Sequence, residues 1–376
     1  MHRKFRVPFP FALGAPTEVG PAEDQSTPNP LPLPRPARRR APVHRGTRWP
    51  RLATVALAAG VLVVLAAGCA SSPDPASSAA PPGGSLSDLV SSLYVDPQSE
   101  ALAWVEAHPG DPIARLVKKR IASQPAGKWF GVWSGDITAA VSSYTTAAAH
   151  ARKVPVMVAY NIPGRDCGGQ SAGGQSDEQS YRRWIDGFDA GLGDHAALVI
   201  LEPDALAQLD SCLNADQQRS RLGMLSYAVS KLQHGKVSVY LDAAHSNWVP
   251  AGVMAQRLRA AGIAHAQGFS LNVSNYDPTD EEEQYARDLN GALRMSKPFV
   301  VDTSRNGKGS NNDWCNPAGR MVGQEPGAGK GGELRLWLKA PGESDGNCGI
   351  GAGTTAGEFS PKLAMSLLAG SDSGES

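Results

Sequence analysis

Carboxylates stand directly after several short apolar segments of this chain. The apolar run at 196–201 ends in Glu202 and Asp204, and similar runs are followed by Asp166 and Asp242. Desolvating an ionised carboxylate costs several kcal/mol unless something compensates it, so acids in such places need a reason. Acids that share a cleft push their pKa values apart, so that one stays protonated while another stays ionised. Such a pair is the equipment needed to hydrolyse a glycosidic bond.

Further polar and aromatic residues follow the same apolar segments. Taken alone, an aspartate at the end of a strand caps a helix more often than it catalyses a reaction. Acids follow five of the seven apolar segments, however, and tryptophans with faces suited to stacking on sugar rings stand beside several. The other residues in these places are Tyr160, Arg165, His245, Trp248, Asn272, Asn275, Asp302, Arg305, Lys339, Glu343 and Asp345.

The elements that would position these residues alternate between strand and helix patterns. The strand-like segments are "GKWFGV", "VPVMVAY", "AALVIL", "KVSVYL", "GFSLN", "KPFVV" and "ELRLWL". Between them lie helical patterns, such as Tyr181, Trp184, Ile185 and Phe188 at the i, i+3, i+4, i+7 spacing of one helix face. Alternation of this kind predicts one α/β barrel-like domain, in which functional residues gather at the carboxyl ends of the strands.

The N-terminal part of the chain has a different composition. Prolines recur through 28–36 and a basic run occupies 38–40, a composition typical of disorder. Residues 52–68 are almost wholly apolar, follow Arg48 and Arg51, and end at Cys69, which is the pattern of an export signal. We therefore predict a signal or anchor segment in residues 1–69 and a flexible linker in 70–84, and hence a secreted or cell-surface protein.

The way in which this segment is processed stays open. The string "LAAGCA" resembles the bacterial lipoprotein box, although Leu65 lies one place too far from Cys69. Lipidation of Cys69, ordinary cleavage and an uncleaved membrane anchor are the three alternatives. A translation start at Val43 would give the signal a short basic beginning.

The other four cysteines are Cys167, Cys212, Cys315 and Cys348. None forms a C-x-x-C pair, and the eight histidines show no metal-ligand spacing, so we predict neither a metal nor another cofactor. Two disulfides suit an exported protein, and chain order favours Cys167–Cys212 and Cys315–Cys348 among three connectivities.

Charge argues against a nucleic-acid partner. The chain has 36 basic and 36 acidic side chains, so no net charge would attract a polyanion. We expect a monomer.

Seven motifs together resemble glycoside hydrolase family 6, the β-1,4-glucanases and cellobiohydrolases. They are "YNIPGRDCGGQSAGG", "LEPDAL", "LDAAHSNW", "NVSNY", "DTSRNGKG", "DWCNPAGR" and "LWLKAPGESDG", in the order found in the family. The resemblance implies a distorted, seven-stranded parallel β/α barrel, forming a single catalytic domain over residues 85–376. It also implies a β-1,4-glucan or cello-oligosaccharide as the partner.

The resemblance also implies a role for each matching residue. Asp204 matches the catalytic acid, Asp166 the neighbouring carboxylate that raises the pKa of the acid, and Asp345 the proposed base. Tyr160 matches the residue that crowds the distorted sugar ring, and Asp242 a carboxylate near the sugar. Further substrate-binding positions are Trp129, Arg165, His245, Trp248, Asn275, Trp314, Lys339 and Glu343. The family inverts the anomeric centre with water, and its matching cysteines pair in the order favoured above.

Two positions and one segment qualify the resemblance. A serine that often holds the water in relatives corresponds to Ala172, unless Ser171 takes over its role. In the family that the chain resembles, exo-acting members enclose the cleft with long loops, one of which spans the second disulfide. The segment from Cys315 to Cys348 is short, so the resemblance implies an open cleft and internal cleavage of the glucan, with cellobiohydrolase-type exo action as the alternative.

Three other classes of protein fit the sequence less well. "GQSAG" at 169–173 matches the nucleophile elbow of serine hydrolases but does not directly follow a strand. "GAGKGG" at 327–332 matches a dinucleotide-binding pattern but follows a loop, so we predict a flexible linker there. A non-catalytic sugar-binding protein is disfavoured because all three expected carboxylates are present.

Overall fold

A single mostly parallel sheet forms the centre of the fold. The computed structural model describes residues 85–372, and within them eight strands pair in the order β1-β2-β3-β4-β5-β6-β8-β7. The strands are β1 (Lys128–Phe130), β2 (Val156–Ala159), β3 (Ala197–Leu201), β4 (Val237–Asp242), β5 (Gly268–Leu271), β6 (Phe299–Asp302), β7 (Gly327–Ala328) and β8 (Leu334–Leu336). All pairs are parallel except β7 with β8.

Helices follow most of the strands. Among the described residues they are α1 (Leu86–Ser91), α2 (Glu100–Ala107), α3 (Pro112–Val117), α4 (Ile137–His150), α5 (Glu178–Leu192), α6 (Ala215–Leu232), α7 (Ala251–Ala260), α8 (Thr279–Leu293) and α9 (Pro361–Asp372). Alternation of strand and helix confirms the predicted α/β barrel. None of the helices within 85–372 has the length and apolar character needed to span a bilayer.

The seven predicted strands correspond to the seven parallel strands, and the barrel is distorted where its two ends meet. No ladder joins β1 to β8; the backbone N–H of Gly127 donates to Trp337 O at 2.8 Å, and Trp129 Nε1 donates to Leu338 O at 2.7 Å. Glycine is needed at 127 because a Cβ there would lie 2.7 Å from Leu338 O. The barrel is therefore held together at this seam by a few bonds.

Strands β2 to β6 are buried on both faces, which explains their nearly continuous apolar sequence. One core lies between the sheet and the helices and includes Tyr181, Trp184, Ile185 and Phe188, the face predicted for α5. The other lies inside the barrel, where Ile200 is fully buried among its neighbours. Because the helices cover the outer face of the sheet, the carboxyl ends of the parallel strands meet at one edge of the barrel.

The register of the strand pairs places the carboxyl ends of β2, β3 and β4 side by side. Ala159 pairs with Leu201, and Leu201 pairs with Leu241. Consequently, Glu202 and Asp242 lie at the same edge of the sheet.

One prediction about the chain outside the barrel is wrong, and another cannot be compared with the structure. The "GAGKGG" segment is not a linker as expected, because Gly327–Ala328 forms strand β7 and pairs with Arg335 and Leu334 of β8. The predictions for residues 1–69 and 70–84, including Cys69, lie outside the described residues.

Candidate active site

A cavity of about 1540 Å³ opens at the carboxyl ends of the strands. Of the predicted catalytic and substrate-binding residues, all but one line it. Those that do are Trp129, Tyr160, Arg165, Asp166, Asp204, His245, Trp248, Asn275, Trp314, Lys339, Glu343 and Asp345. The exception is Asp242.

Asp242 lies behind Asp204 instead of facing the cavity. Its side chain is almost fully buried, and Oδ2 accepts hydrogen bonds from the backbone N–H of Asp204 at 2.9 Å and of Ala244 at 3.1 Å. The resemblance to the family implied a place near the sugar for this carboxylate. In the structure its contacts are with the residue predicted to be the acid, because the side chain at the end of β4 points beneath the neighbouring loop.

Asp204 has the environment of a carboxyl group that stays protonated. Burial raises its pKa far above the usual range, and the nearby charges of Asp242 and Asp166 raise it further, while His245 acts in the opposite direction. Asp204 and Glu202 both have positive φ, +67° and +51°. Such left-handed residues are strained when they are not glycine, and they redirect the side chains at the end of β3.

Glu202 has a structural role at the same strand end. It is buried, and its carboxylate accepts from the backbone N–H groups of Asn161 (3.0 and 2.9 Å) and Ile162 (3.0 Å). Burial raises its pKa to about 7 although these hydrogen bonds oppose the shift. Glu202 thus fastens the end of β2 to the end of β3.

Asp166 belongs to a loop that is held at three points. Its Oδ2 accepts from the backbone N–H of Ser171 at 2.7 Å, and its Oδ1 accepts from Gln208 Nε2 at 3.3 Å. The next residue forms the disulfide Cys167–Cys212, with a Cα–Cα distance of 5.7 Å. The first predicted disulfide is therefore confirmed, and it anchors the loop that carries Asp166.

Arg165 organises the same loop from inside. It donates to Tyr160 O at 2.7 Å, Ser171 O at 2.7 Å and Ala172 O at 3.3 Å. Its guanidinium lies 5.0 Å from the ring centre of Trp133 and 4.5 Å from that of Tyr160. The main role of Arg165 is therefore structural, because its guanidinium holds the loop through backbone carbonyl groups.

Sequence reasoning missed Trp133, although it lines the cavity and is 55% exposed. The available signal was a tryptophan four residues after Trp129, just past the end of β1. Trp248 and Trp314 are also exposed, at 37% and 54%. Exposed indole faces are suited to stacking on sugar rings.

Asp345 has surroundings opposite to those of Asp204. Arg305 Nη1 lies 2.9 Å from both of its oxygens, and Lys339 Nζ lies 3.9 Å from Oδ1. Oδ2 also accepts from Tyr276 Oη at 3.2 Å and from the N–H of Asn316 at 3.0 Å. Burial alone would raise the pKa of Asp345, but the Arg305 and Lys339 charges keep it below its usual value.

The second disulfide supports this region. Cys315 and Cys348 are joined, as predicted, with a Cα–Cα distance of 5.9 Å. The adjacent Asn316 exchanges hydrogen bonds with Asp345, because Asn316 Oδ1 accepts from the N–H of Asp345 at 2.9 Å. Arg305 was noted only as a polar residue at a strand end and Tyr276 was not singled out, since their contacts with Asp345 span 40 and 69 residues of sequence.

Lys339 and Glu343 complete this wall of the cavity. Lys339 Nζ donates to Ser344 O at 2.9 Å and lies 5.7 Å from the ring centre of Trp129. Burial raises the pKa of Glu343 to about 7, against the opposing charge of Lys339.

The serine-hydrolase pattern has no elbow geometry. Ser171 lies twelve positions beyond Ala159, where β2 ends, in the loop that wraps Asp166. One group among residues 85–372 has the composition of a metal site: His245, Asp277 and Glu282, whose ligand atoms lie within 4.8 Å of one another.

The sequence is similar to proteins of a known family. The family described as glycosyl hydrolases family 6 matches residues 89–371. The chain is 46% identical over 301 residues to Endoglucanase 1 of Streptomyces halstedii, covering 78% of this chain and 94% of that protein. It is 43% identical over 286 residues to Endoglucanase A of Thermobispora bispora, covering 74% of this chain and 62% of that protein.

A solved structure agrees with these sequence matches. The structure is that of an endoglucanase from Mycobacterium tuberculosis in complex with methyl-cellobiosyl-4-deoxy-4-thio-β-D-cellobioside. It superposes with a TM-score of 0.70 at 40% identity, covering 74% of this chain and 97% of the other. The chain belongs to glycosyl hydrolases family 6, and it is a glycoside hydrolase.

Proposed function

We propose that this protein is an inverting endo-β-1,4-glucanase with Asp204 as general acid and Asp345 as base. The observation that carries the proposal is the contrast between two carboxyl groups lining one cavity. Asp204 has a strongly raised pKa and Asp345 a lowered one. An inverting glycosidase needs one protonated and one ionised carboxyl group on opposite sides of the scissile bond.

Asp204 would protonate the glycosidic oxygen as the bond to the anomeric carbon breaks. Its carboxyl group can hold a proton at neutral pH because burial, Asp242 and Asp166 all disfavour the ionised form. The charge of Asp242, behind Asp204, and that of Asp166, in the cleft, would both keep Asp204 protonated. Tyr160, buried beside Trp129 with ring centres 5.1 Å apart, would shape the position of the reacting sugar.

Asp345 would accept the proton of the attacking water indirectly. Its low pKa and its bonds to Arg305 make it a weak base for direct abstraction. Ser274 lines the cavity, and its hydroxyl accepts from Arg305 Nη2 at 3.0 Å and donates to Asp345 Oδ1 at 3.3 Å. We therefore assign Ser274 as the relay: its oxygen takes the proton of the water while its own proton passes to Asp345.

Internal cleavage is supported by the limited covering over the cleft. Loops from its two sides touch where the N–H of Asn347 donates to Gln170 Oε1 at 3.1 Å, an exposed contact. Gly346 has φ +130° and packs against Gln170, where a Cβ would come within 2.7 Å of the glutamine side chain. One solvent-exposed hydrogen bond is a weak closure, so we expect a glucan chain to enter sideways. The similarity to the three endoglucanases named above points the same way.

Carboxymethyl cellulose distinguishes the two modes of attack. Internal cleavage lowers the viscosity of the solution while few reducing ends have appeared. Slow loss of viscosity, with cellobiose dominating the early products of cello-oligosaccharides, would instead establish exo action. Binding of cello-oligosaccharides without any cleavage would identify a non-catalytic protein.

We also propose export of a monomeric protein to the cell surface or the medium. Two disulfides favour an oxidising compartment. Lipidation of Cys69 is tested by metabolic labelling with a fatty acid, with Cys69→Ala as the control; absence of label would leave cleavage or an uncleaved anchor.

A further inference from the structure

A buried ion-pair cluster lies behind one wall of the cleft, and the steps proposed above do not use it. His245 lines the cavity, and its Nδ1 lies 2.8 Å from Asp277 Oδ2, with the two side chains 16% and 5% exposed. Glu282 is fully buried and belongs to the same group of atoms. These three residues are called the histidine cluster below. A buried acid pair around one imidazole requires a physical reason.

Backbone and side-chain donors orient both acids toward the ring. Asp277 Oδ1 accepts from Asn247 Nδ2 at 2.8 Å, and Glu282 Oε1 accepts from the backbone N–H of Ser246 at 2.9 Å. Glu282 Oε2 has no hydrogen-bond partner within the described part of the chain. Each acid thus uses one oxygen for support, and the second oxygen of Asp277 lies against His245 Nδ1, the arrangement that fixes an imidazole in one orientation.

The cluster favours a charged imidazole. Burial lowers the pKa of His245, but the bond to Asp277 and the charges of Asp277, Glu282 and Asp204 outweigh burial and raise it. The two acids differ, because His245 and Asn247 lower the pKa of Asp277 in spite of burial, whereas burial raises that of Glu282 to about 7. Asp277 is therefore the permanent counter-ion.

The charge on His245 acts on the proposed acid. Burial raises the pKa values of both Asp204 and Asp242, and the charges of Asp242 and Asp166 raise that of Asp204 further. Hydrogen bonds lower the pKa of Asp242, and the charge of His245 lowers the pKa of both groups. Asp204 is consequently placed between two opposing influences, carboxylates on one side and the imidazolium on the other. The distance of the His245 imidazolium from Asp204 determines how far its charge lowers the pKa of Asp204.

We propose that Asp277 and Glu282 are positioning residues of the reaction, which hold His245 as a fixed cation beside Asp204. The inference rests on the proposed function. His245 lines the cavity, where its Nε2–H would donate to a sugar oxygen, whereas Asp277 and Glu282 do not line it. Asp277 supplies the counter-charge and the orientation, and Glu282 supports both through the Ser246 backbone.

Asp277→Asn tests this directly, since it keeps the shape and removes the charge. Without its counter-ion His245 loses its proton more readily, and Asp204 then ionises less readily, so the pKa of Asp204 rises. The alkaline limb of the pH profile of kcat should move up by about 1 pH unit. Because the ring is also less well fixed, KM should rise and kcat/KM fall by about tenfold. Glu282→Gln should give smaller changes in the same directions.

Asp280→Asn is the matched control. Asp280 lies in the same first turn of α8 as Glu282 and is exposed, and the substitution removes the same charge. It should leave the pH profile, kcat and KM unchanged. A purely structural role for Asp277 predicts a lower melting temperature with an unmoved alkaline limb, and that result would overturn the proposal.

An NMR titration of the His245 imidazole separates this inference from the proposed function, because it needs no substrate. The midpoint should exceed the ordinary value of 6.5 in the wild type and drop in Asp277→Asn. Equal midpoints in both proteins would overturn the inference even if the enzyme cleaves glucan. Retention of one divalent ion per chain after dialysis against a chelator, lost in Asp277→Asn, would also overturn it, because a metal would then occupy the place of the proton.

Discussion

Two walls of one cleft treat a carboxyl group in opposite ways. Around Asp204 the neighbours are carboxylates, Asp242 and Asp166, so the ionised form is disfavoured. Around Asp345 the neighbours are cations, Arg305 and Lys339, so the ionised form is favoured. Burial is extensive on both sides, and it would raise both pKa values if it acted alone. Charge arrangement, more than burial, therefore decides which group can donate a proton and which can receive one.

The two walls also differ in how the sequence builds them. The Asp204 wall arises from neighbouring strands in register, with acids from the ends of β2, β3 and β4. The Asp345 wall is assembled from distant segments, since Arg305 and Asp345 are 40 residues apart. A disulfide adjoins each wall, Cys167–Cys212 on one side and Cys315–Cys348 on the other.

Removing the acid should have the largest effect. Asp204→Ala should lower kcat on cello-oligosaccharides by about 10²–10⁴-fold, the usual size of a general-acid contribution. Aryl cellobiosides whose leaving group needs no protonation should be impaired far less. Steady-state kinetics on both substrates measures the difference, with exposed Asp210→Ala as the control. Equal losses on both substrates would assign Asp204 a structural role.

Removing the counter-ion of Asp345 should mainly lower the stability of the protein. Arg305→Gln leaves the buried Asp345 carboxylate without its main counter-ion, which should lower the free energy of unfolding by about 3–5 kcal/mol. Arg287→Gln removes a cation from an exposed pair with Glu283 and should cost less than about 1 kcal/mol. Denaturant unfolding measures both, and similar losses would show that burial of the Arg305 pair does not matter.

The relay should have an intermediate effect on rate. Ser274→Ala removes the hydroxyl that connects the cleft to Asp345, so kcat should fall by about tenfold or more, with little change in KM. Kinetics on cello-oligosaccharides gives both constants. Unchanged kcat would mean that the water delivers its proton by another path.

The smallest predicted effect is a dependence of stability on pH. Burial raises the pKa values of Glu202 and Glu343 from 4.5 to about 7 in the folded protein. Their contribution is therefore fully present below the unfolded value and is lost as pH rises through about 7. The lowered pKa of Asp345 acts oppositely, and its contribution is lost only in acid below 3.8.

The melting temperature should consequently be about 3 °C or more higher near pH 5.5 than near pH 8. Calorimetry at the two values tests this, and Glu343→Gln should reduce the difference. A melting temperature that rises from pH 5.5 to pH 8 would contradict the raised pKa values.

Much of this site could be predicted because strand ends are visible in a sequence. Apolar segments such as 196–201 identify buried strands, and parallel strands bring their carboxyl ends to one edge. This placed Asp166, Asp204 and Asp345 in one cleft. Chain order favoured the cysteine pairs, and the motifs of the family supplied further aromatic positions.

The remainder depended on directions and distances that a sequence does not display. Asp242 lies behind Asp204 because positive φ values at Glu202 and Asp204 turn the β3 end over it. Arg305 meets Asp345 only after the barrel has formed. Strand β7 was missed because two residues within a glycine-rich stretch carry no periodicity.

The anomeric form of the first product tests the contrast between the two walls most directly. A protonated Asp204 on one side and an ionised Asp345 that draws a proton from water on the other should invert the anomeric centre. Proton NMR during the first minutes of hydrolysis of a β-1,4-linked cello-oligosaccharide should therefore show the α-anomer before mutarotation. Initial release of the β-anomer would contradict the account, because it would require a carboxylate of this cleft to bond to the sugar.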